Sequence, residues 1–137
     1  MASALVQVCV DPRLNHELIR IQVHQRLERS GLRADRIWVL NEVGGNLGAN
    51  FRSTAQFLAR TGEPIVFCAV LHHDDCLAAR EGLRADLDVT AREMAAELAR
   101  LKLTCAVVTG RIRTEHNHLR WSDEPESRYL PFTFGPG

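Results

Sequence analysis

The chain has 137 residues, 45% of them hydrophobic and 25% charged, a composition typical of one globular domain spanning residues 1–137. Because 17 Lys and Arg balance 17 Asp and Glu, the chain lacks the basic surface of a duplex-binding protein, and we expect no nucleic-acid partner. The longest apolar run, residues 65–71, is too short to cross a bilayer, and the N-terminus has no signal-peptide pattern. We therefore expect a cytoplasmic protein that does not bind membranes.

The first third of the chain predicts two strands and two helices. Residues 4–9 form a short β-rich run, and a helical period (Leu14, Leu18 and Ile21) follows in a stretch that Ser30-Gly31 ends near residue 29. Residues 37–40 predict the second strand. Glycines at 44, 45 and 48 break the chain after it, and Asn50 is suited to cap a helix. The residues that this helix is expected to bury are Phe51, Ala55 and Leu58.

The remainder of the chain continues the alternation. Residues 65–71 are apolar at every position, as in a parallel strand that is covered on both faces. A short helix up to about residue 83, a helix capped by Thr90 and a buried strand over residues 103–108 follow. Residues 111–121 alternate around a turn at His116-Asn117, and residues 122–137 predict an irregular tail. The expected fold is α/β, with a mostly parallel central sheet flanked by helices and a C-terminal antiparallel hairpin or edge strand.

Two of the predicted strand ends carry side chains that bind metals. The first strand ends in Cys9, and the third is followed by His73 and Cys76 at i, i+3 spacing. Because ligands bind at the carboxyl ends of parallel strands, these side chains are expected to meet there as a Cys₂His zinc site with one open position. Asp11 is placed to take that fourth position or to accept a hydrogen bond from bound water, and Arg13 to pair with Asp11.

Each of these residues also has a simpler explanation. A single His-x-x-Cys is weak evidence, and a lone cysteine at a strand end is usually a small buried apolar residue. That description fits Cys68 and Cys105, which we expect in the core. His72 is an alternative ligand, but only His73 has the i, i+3 spacing to Cys76. A phosphatase loop, a redox Cys-x-x-Cys and two disulfides lack support in the sequence.

Together, the Cys-x-Asp-x-Arg and His-x-x-Cys motifs resemble those of the β-class carbonic anhydrases, and the resemblance extends over residues 5–121. It implies that Cys9, His73 and Cys76 bind Zn²⁺, and that Asp11 and Arg13 form a catalytic dyad. It also implies a homodimer or a higher multiple of dimers.

The sequence departs from this family at several points. Asn41-Glu42-Val43-Gly44 stands where the family has Arg-Asn-Ala-Gly, and Leu77 stands where it usually has Gly. The first helix is longer than usual, and the family's N-terminal helical arm is not expected. The altered segment and Leu77 are expected to affect the shape of the pocket and the choice of substrate. The arm that is not expected affects the form that a dimer takes.

Three functions therefore remain open for this small-molecule site. The first is reversible hydration of carbon dioxide to bicarbonate by a zinc-bound hydroxide. The second is hydrolysis of carbonyl sulfide or carbon disulfide by the same chemistry. The third is a zinc-stabilised domain without catalytic activity.

Overall fold

The computed structural model describes residues 1–124, and the predicted tail lies outside the described residues from position 125 onward. These residues form five strands and four helices. The strands are β1 (Ser3–Cys9), β2 (Arg36–Glu42), β3 (Ile65–His73), β4 (Val107–Arg113) and β5 (His118–Trp121). The helices are α1 (His16–Arg29), α2 (Ala49–Thr61), α3 (Leu77–Arg80) and α4 (Leu87–Arg100), and a single 3₁₀ turn, Val43–Gly45, separates β2 from α2.

The strands form one sheet in the order β2-β1-β3-β4-β5. The first four strands in this order are parallel, and β5 runs antiparallel to β4 at the edge. This confirms the predicted fold class, including the antiparallel C-terminal hairpin. Because the chain leaves β1 toward β2 and later returns to the other side of β1 as β3, the strand order reverses between β1 and β3. The carboxyl ends of these two strands are where an α/β sheet binds ligands.

Helix α1 packs on one face of the sheet, but the residues that it buries are not those that the sequence periodicity predicted. Its buried residues are Ile19, Gln22, Val23 and Leu27, whereas Ile21 is exposed. Gln22 can be buried because its amide is paired: Nε2 donates to the carbonyl of Asn117 at 2.6 Å, and Oε1 accepts from the N–H of Leu119 at 2.8 Å. A buried amide that makes these bonds is not penalised as an unpaired one would be.

The opposite face is covered by α2 and α4, whose starting residues were predicted wrongly. Asn50 lies inside α2, which follows Gly48, and its backbone N–H donates instead to the Glu42 carboxylate at 3.1 Å. Thr90 likewise lies inside α4, where Asp86 is the N-cap and accepts from the N–H of Asp88 at 2.9 Å. The buried face predicted for α2 is confirmed, with Phe51, Ala55 and Leu58 all at 0% exposure, and α4 buries Met94 and Leu98 to the same extent.

The strand predicted over residues 103–108 begins only at Val107, because residues 103–106 form an irregular connection after α4. As a result Cys105 is half-buried rather than in the core, whereas Cys68 is completely buried as predicted. Among residues 1–124, no helix has the length and apolar character needed to span a bilayer.

Candidate metal centre

Three side chains of types that can ligate a metal meet at the point where the strand order reverses. Cys9 is the last residue of β1, His73 is the last residue of β3, and Cys76 follows three residues later, just before α3. Their ligand atoms, two sulfurs and one imidazole nitrogen, all lie within 4.8 Å of one another. The exposed fractions of the three residues are 6%, 3% and 3%. The structure therefore brings together the three residues that the sequence predicted as ligands.

The imidazole of His73 has one nitrogen paired and one unpaired. Nδ1 lies 2.7 Å from the backbone carbonyl of Asp74, which accepts a hydrogen bond when Nδ1 carries the proton. Nε2 is buried and has no hydrogen-bond partner among the described residues. Buried polar atoms are rarely left unpaired, and a carbonyl that fixes the tautomer through the other nitrogen is typical of a metal-binding histidine. The arrangement fits a metal ion.

The two cysteines are neighbours in a partly desolvated environment. Burial raises the pKa of the Cys9 thiol, and the adjacent Cys76 raises it further. Hydrogen bonds from the backbone N–H groups of Asp11 and Gly44 act in the opposite direction and stabilise a thiolate. A divalent cation would offset the repulsion between two thiolates and favour their deprotonated forms. This donor set of two sulfurs and one nitrogen could hold a metal such as zinc.

Asp11 lies beside the cluster and is held by Arg13. Arg13 donates to Oδ1 from its backbone N–H at 2.9 Å and from Nε at 3.0 Å, and to Oδ2 from Nη2 at 2.7 Å. These bonds are the main reason that the pKa of Asp11 falls to about 2. Oδ2 of Asp11 also lies 3.8 Å from Nε2 of His73. An ionised carboxylate of fixed orientation therefore faces the candidate ligands.

Asp75 is a residue of this site to which the sequence analysis gave no role. Its carboxylate accepts from Nη1 of Arg13 at 3.2 Å and from Nη2 of Arg80 at 2.6 Å, and its carbonyl accepts from Nη2 of Arg13 at 2.8 Å. Its φ of 50° lies in the left-handed region, which Asp adopts more readily than most residues. One feature of the sequence pointed to such a residue. The guanidinium of Arg13 has more N–H groups than the Asp11 carboxylate can accept, so a second acceptor was to be expected nearby.

A loop from the β2 side lies against the ligands. Gly45 has a φ of 69°, and a Cβ built on it would lie 3.4 Å from the carbonyl oxygen of Leu71 and 3.6 Å from the backbone nitrogen of Cys9. Gly44, with a φ of 67°, packs in the same way against the Arg84 side chain. Glycine at position 45 therefore lets the loop approach the ends of β1 and β3 closely, and glycine at position 44 lets it approach Arg84.

His72, the alternative ligand, lies outside the cluster. Because side chains alternate along a strand, it points to the sheet face opposite to that of His73. It is 3% exposed, and its pKa is lowered to about 4, mainly by burial and then by the positive charges of Arg84 and Arg111. His72 is therefore a neutral buried imidazole, and the choice of His73 as the member of the cluster agrees with the geometry.

The fold is shared with two solved structures at low sequence identity. A carbonic anhydrase from Streptococcus mutans matches with a TM-score of 0.54 and 18% identity, covering 88% of this chain and 81% of that chain. The apo form of a carbon disulfide hydrolase matches with a TM-score of 0.52 and 13% identity, covering 97% and 85%. No family model matches the sequence, and no significant match was found among curated proteins. The expected resemblance in fold to carbonic anhydrases is confirmed.

Proposed function

We propose that this chain is a zinc-dependent carbonic anhydrase that reversibly hydrates carbon dioxide to bicarbonate. The observation that carries the proposal is the buried cluster of Cys9, His73 and Cys76, in which Nε2 of His73 has no hydrogen-bond partner among the described residues. The ionised Asp11, fixed by Arg13, lies next to it. The likeness in fold to a carbonic anhydrase supports the same reaction.

In this proposal Cys9, His73 and Cys76 would hold Zn²⁺, a donor set found in catalytic Cys₂His sites. When bound, Zn²⁺ supplies a nucleophile at neutral pH by lowering the pKa of water to about 7. The backbone N–H groups of Asp11 and Gly44 stabilise the Cys9 thiolate, and the carbonyl of Asp74 orients the His73 ring. These contacts hold the ligands in place before the metal binds.

Asp11 orients the reacting water in the proposed mechanism. An ionised carboxylate can only accept hydrogen bonds, so the water must donate to it, and the lone pair of the water is then free to attack the carbon of carbon dioxide. The proton that bicarbonate formation releases passes to solvent, because a carboxyl group with a pKa of about 2 does not retain it at neutral pH. Asp11 does not take the fourth coordination position in this proposal. Both of its oxygens accept hydrogen bonds from Arg13, and this pairing favours an open site.

The test combines metal content with a hydration assay on purified protein. We expect about one zinc per chain and carbon dioxide hydration that Asp11→Asn lowers by about 10²-fold or more, because misplacing a reacting group can cost about that much. Asp35→Asn is the matched control, because Asp35 lies just before β2, at the amino ends of the parallel strands, whereas the candidate site lies at their carboxyl ends. Bound zinc with no hydration in wild-type protein would contradict the proposal and favour a zinc-stabilised domain without activity.

Hydrolysis of carbon disulfide or carbonyl sulfide is the second candidate function. It is favoured by the likeness in fold to a carbon disulfide hydrolase, which covers 97% of this chain. The Asn41-Glu42-Val43-Gly44 segment beside the ligands also allows a pocket of different shape. Hydrogen sulfide release, measured beside bicarbonate formation, separates the two substrates. We also propose a homodimer, which sedimentation of the purified protein will test.

A further inference from the structure

A cavity of about 550 Å³ opens beside the candidate metal centre. His73 and Cys76 form part of its wall, so the cavity and the ligand cluster share two residues. Most of the remaining wall consists of charged side chains from α3, β4, β5 and the connection before α4. The arginines among them are Arg80, Arg84, Arg111, Arg113 and Arg120.

The charge of this wall is strongly positive. Asp74 and Asp75 are its only carboxylates among the described residues, and both already accept hydrogen bonds. Oδ1 of Asp74 accepts from the N–H and the hydroxyl of Thr114, each at 2.8 Å. The Asp75 carboxylate accepts from Arg13 and Arg80. Since the whole chain has a formal net charge of zero, the excess of arginines is a local feature of the cavity.

Two of the arginines have unused donor groups. Arg111 and Arg113 alternate with the buried Ile112 on β4, so both point to the same face of the hairpin and are exposed. Within residues 1–124 neither side chain makes an ion pair or a hydrogen bond. Arg111 also lies directly opposite Arg120 in the β4–β5 register. Both guanidiniums therefore contribute positive charge to the same wall of the cavity.

Two other arginines are held in fixed positions at the same wall. Nη1 of Arg84 donates to the carbonyl of His73 at 3.1 Å, and Nη2 of Arg80 donates to Asp75 at 2.6 Å. Each guanidinium keeps further N–H groups that these bonds do not use. Donors that are fixed in advance bind an anion with a smaller loss of side-chain entropy.

We propose that this cavity binds a small oxyanion that carries at least two negative charges, either a phosphate or a polycarboxylate. Guanidinium groups bind both kinds of anion through paired N–H donors. The cavity volume lies within the usual range for small-molecule sites and exceeds what carbon dioxide requires. The proposal goes beyond the hydration reaction and holds whether or not the protein hydrates carbon dioxide.

Calorimetric titration of the purified full chain tests the proposal. Inorganic phosphate and tricarballylate are the two multiply charged probes, and acetate at equal ionic strength is the singly charged control. The variant Arg111→Gln/Arg113→Gln removes two unpaired guanidiniums without touching the candidate ligands. The matched control is Arg33→Gln/Arg60→Gln, which removes two exposed arginines. They lie in segments that precede β2 and β3, at the amino ends of the parallel strands, whereas the cavity lies at the carboxyl ends.

We expect phosphate, tricarballylate or both to bind wild-type protein, and the stronger probe identifies the ligand class. Affinity should fall at least about tenfold in the Arg111→Gln/Arg113→Gln variant, because charge-assisted hydrogen bonds are lost, and less than twofold in the control. Binding should also weaken as salt is added. Equal affinity in the two double variants, binding of acetate as tight as that of the stronger multiply charged probe, or no binding of either multiply charged probe would overturn the proposal.

Discussion

Asn117 donates a hydrogen bond from Nδ2 to the backbone carbonyl of Arg13, 3.1 Å away, although 104 positions separate the two residues in the chain. Its Oδ1 accepts from the backbone N–H of Asn15 at 2.8 Å. Asn117 lies in the turn between β4 and β5 with a φ of 53°, and it is 7% exposed. A single buried amide therefore joins the hairpin to the loop that carries Asp11 and Arg13.

Replacing Asn117 should lower the free energy of unfolding in two separable ways. Asn117→Gly keeps a residue that adopts positive φ but removes both side-chain hydrogen bonds, and we expect a loss of about 2–4 kcal/mol. Asn117→Ala removes the same bonds and adds the strain of a left-handed backbone, about 1 kcal/mol more. Urea unfolding measures both values. Equal stability of wild type and Asn117→Gly would show that these bonds do not hold the loop.

Acid should reduce the stabilising effect of Arg13. Because Arg13 lowers the pKa of Asp11 from 3.8 to about 2, the folded chain favours the ionised carboxylate more than the unfolded chain does. This contribution to stability is complete above about pH 4 and is lost as the pH falls toward 2. Arg13→Gln should therefore be less stable than wild type at pH 6, and the difference should shrink at pH 2.5.

Urea unfolding of metal-free protein at the two pH values measures this difference, since acid release of a metal then does not contribute. Arg60→Gln is the control, because Arg60 is an exposed residue in the last turn of α2. A stability difference for Arg13→Gln that stays constant between pH 6 and pH 2.5 would mean that the Asp11 pKa does not depend on Arg13.

Two glycines provide a matched pair for testing how closely the backbone packs near the site. A Cβ at Gly110 would lie 2.8 Å from Cδ2 of Leu71 and 2.9 Å from the carbonyl oxygen of Arg120. A Cβ at Gly48 would lie 2.5 Å from Cδ of Glu42, the end of a flexible side chain. We expect Gly110→Ala to cost about 1–3 kcal/mol, because strand backbone must move. Gly48→Ala should cost less than about 1 kcal/mol, and thermal unfolding that ranks them in reverse would contradict this account.

The positions of the candidate ligands could be predicted because local patterns determine them. A continuous apolar run identifies β3, its end fixes His73, and the i, i+3 spacing places Cys76 in the next turn. The end of β1 fixes Cys9 in the same way. Parallel strands then bring the two ends to one edge of the sheet, so the meeting of these side chains follows from the fold class.

Other features of the site depend on residues that are distant in sequence. The burial of Gln22, which sets the phase of α1, requires acceptor and donor groups at Asn117 and Leu119, 95 and 97 positions away. The role of Asp75 requires a left-handed backbone that aims its carboxylate at Arg13. No periodicity in the sequence carries this information, so these contacts could be found only in the structure.

Removing one sulfur should separate metal binding from the rest of the fold. In Cys76→Ser we expect the zinc content to fall from about one per chain to a small fraction, because one of three buried ligand atoms is lost. Binding of a metal at a thousandfold excess over its Kd stabilises a protein by about 4 kcal/mol. Chelation should therefore lower the melting temperature of wild type by about 10 °C or more, and that of Cys76→Ser by much less.

Cys105→Ser is the matched control, since Cys105 is half-buried outside the cluster. Zinc retention by Cys76→Ser with an unchanged response to chelator would show that the metal binds elsewhere, whereas zinc loss in both variants would show that the loss does not report on the cluster.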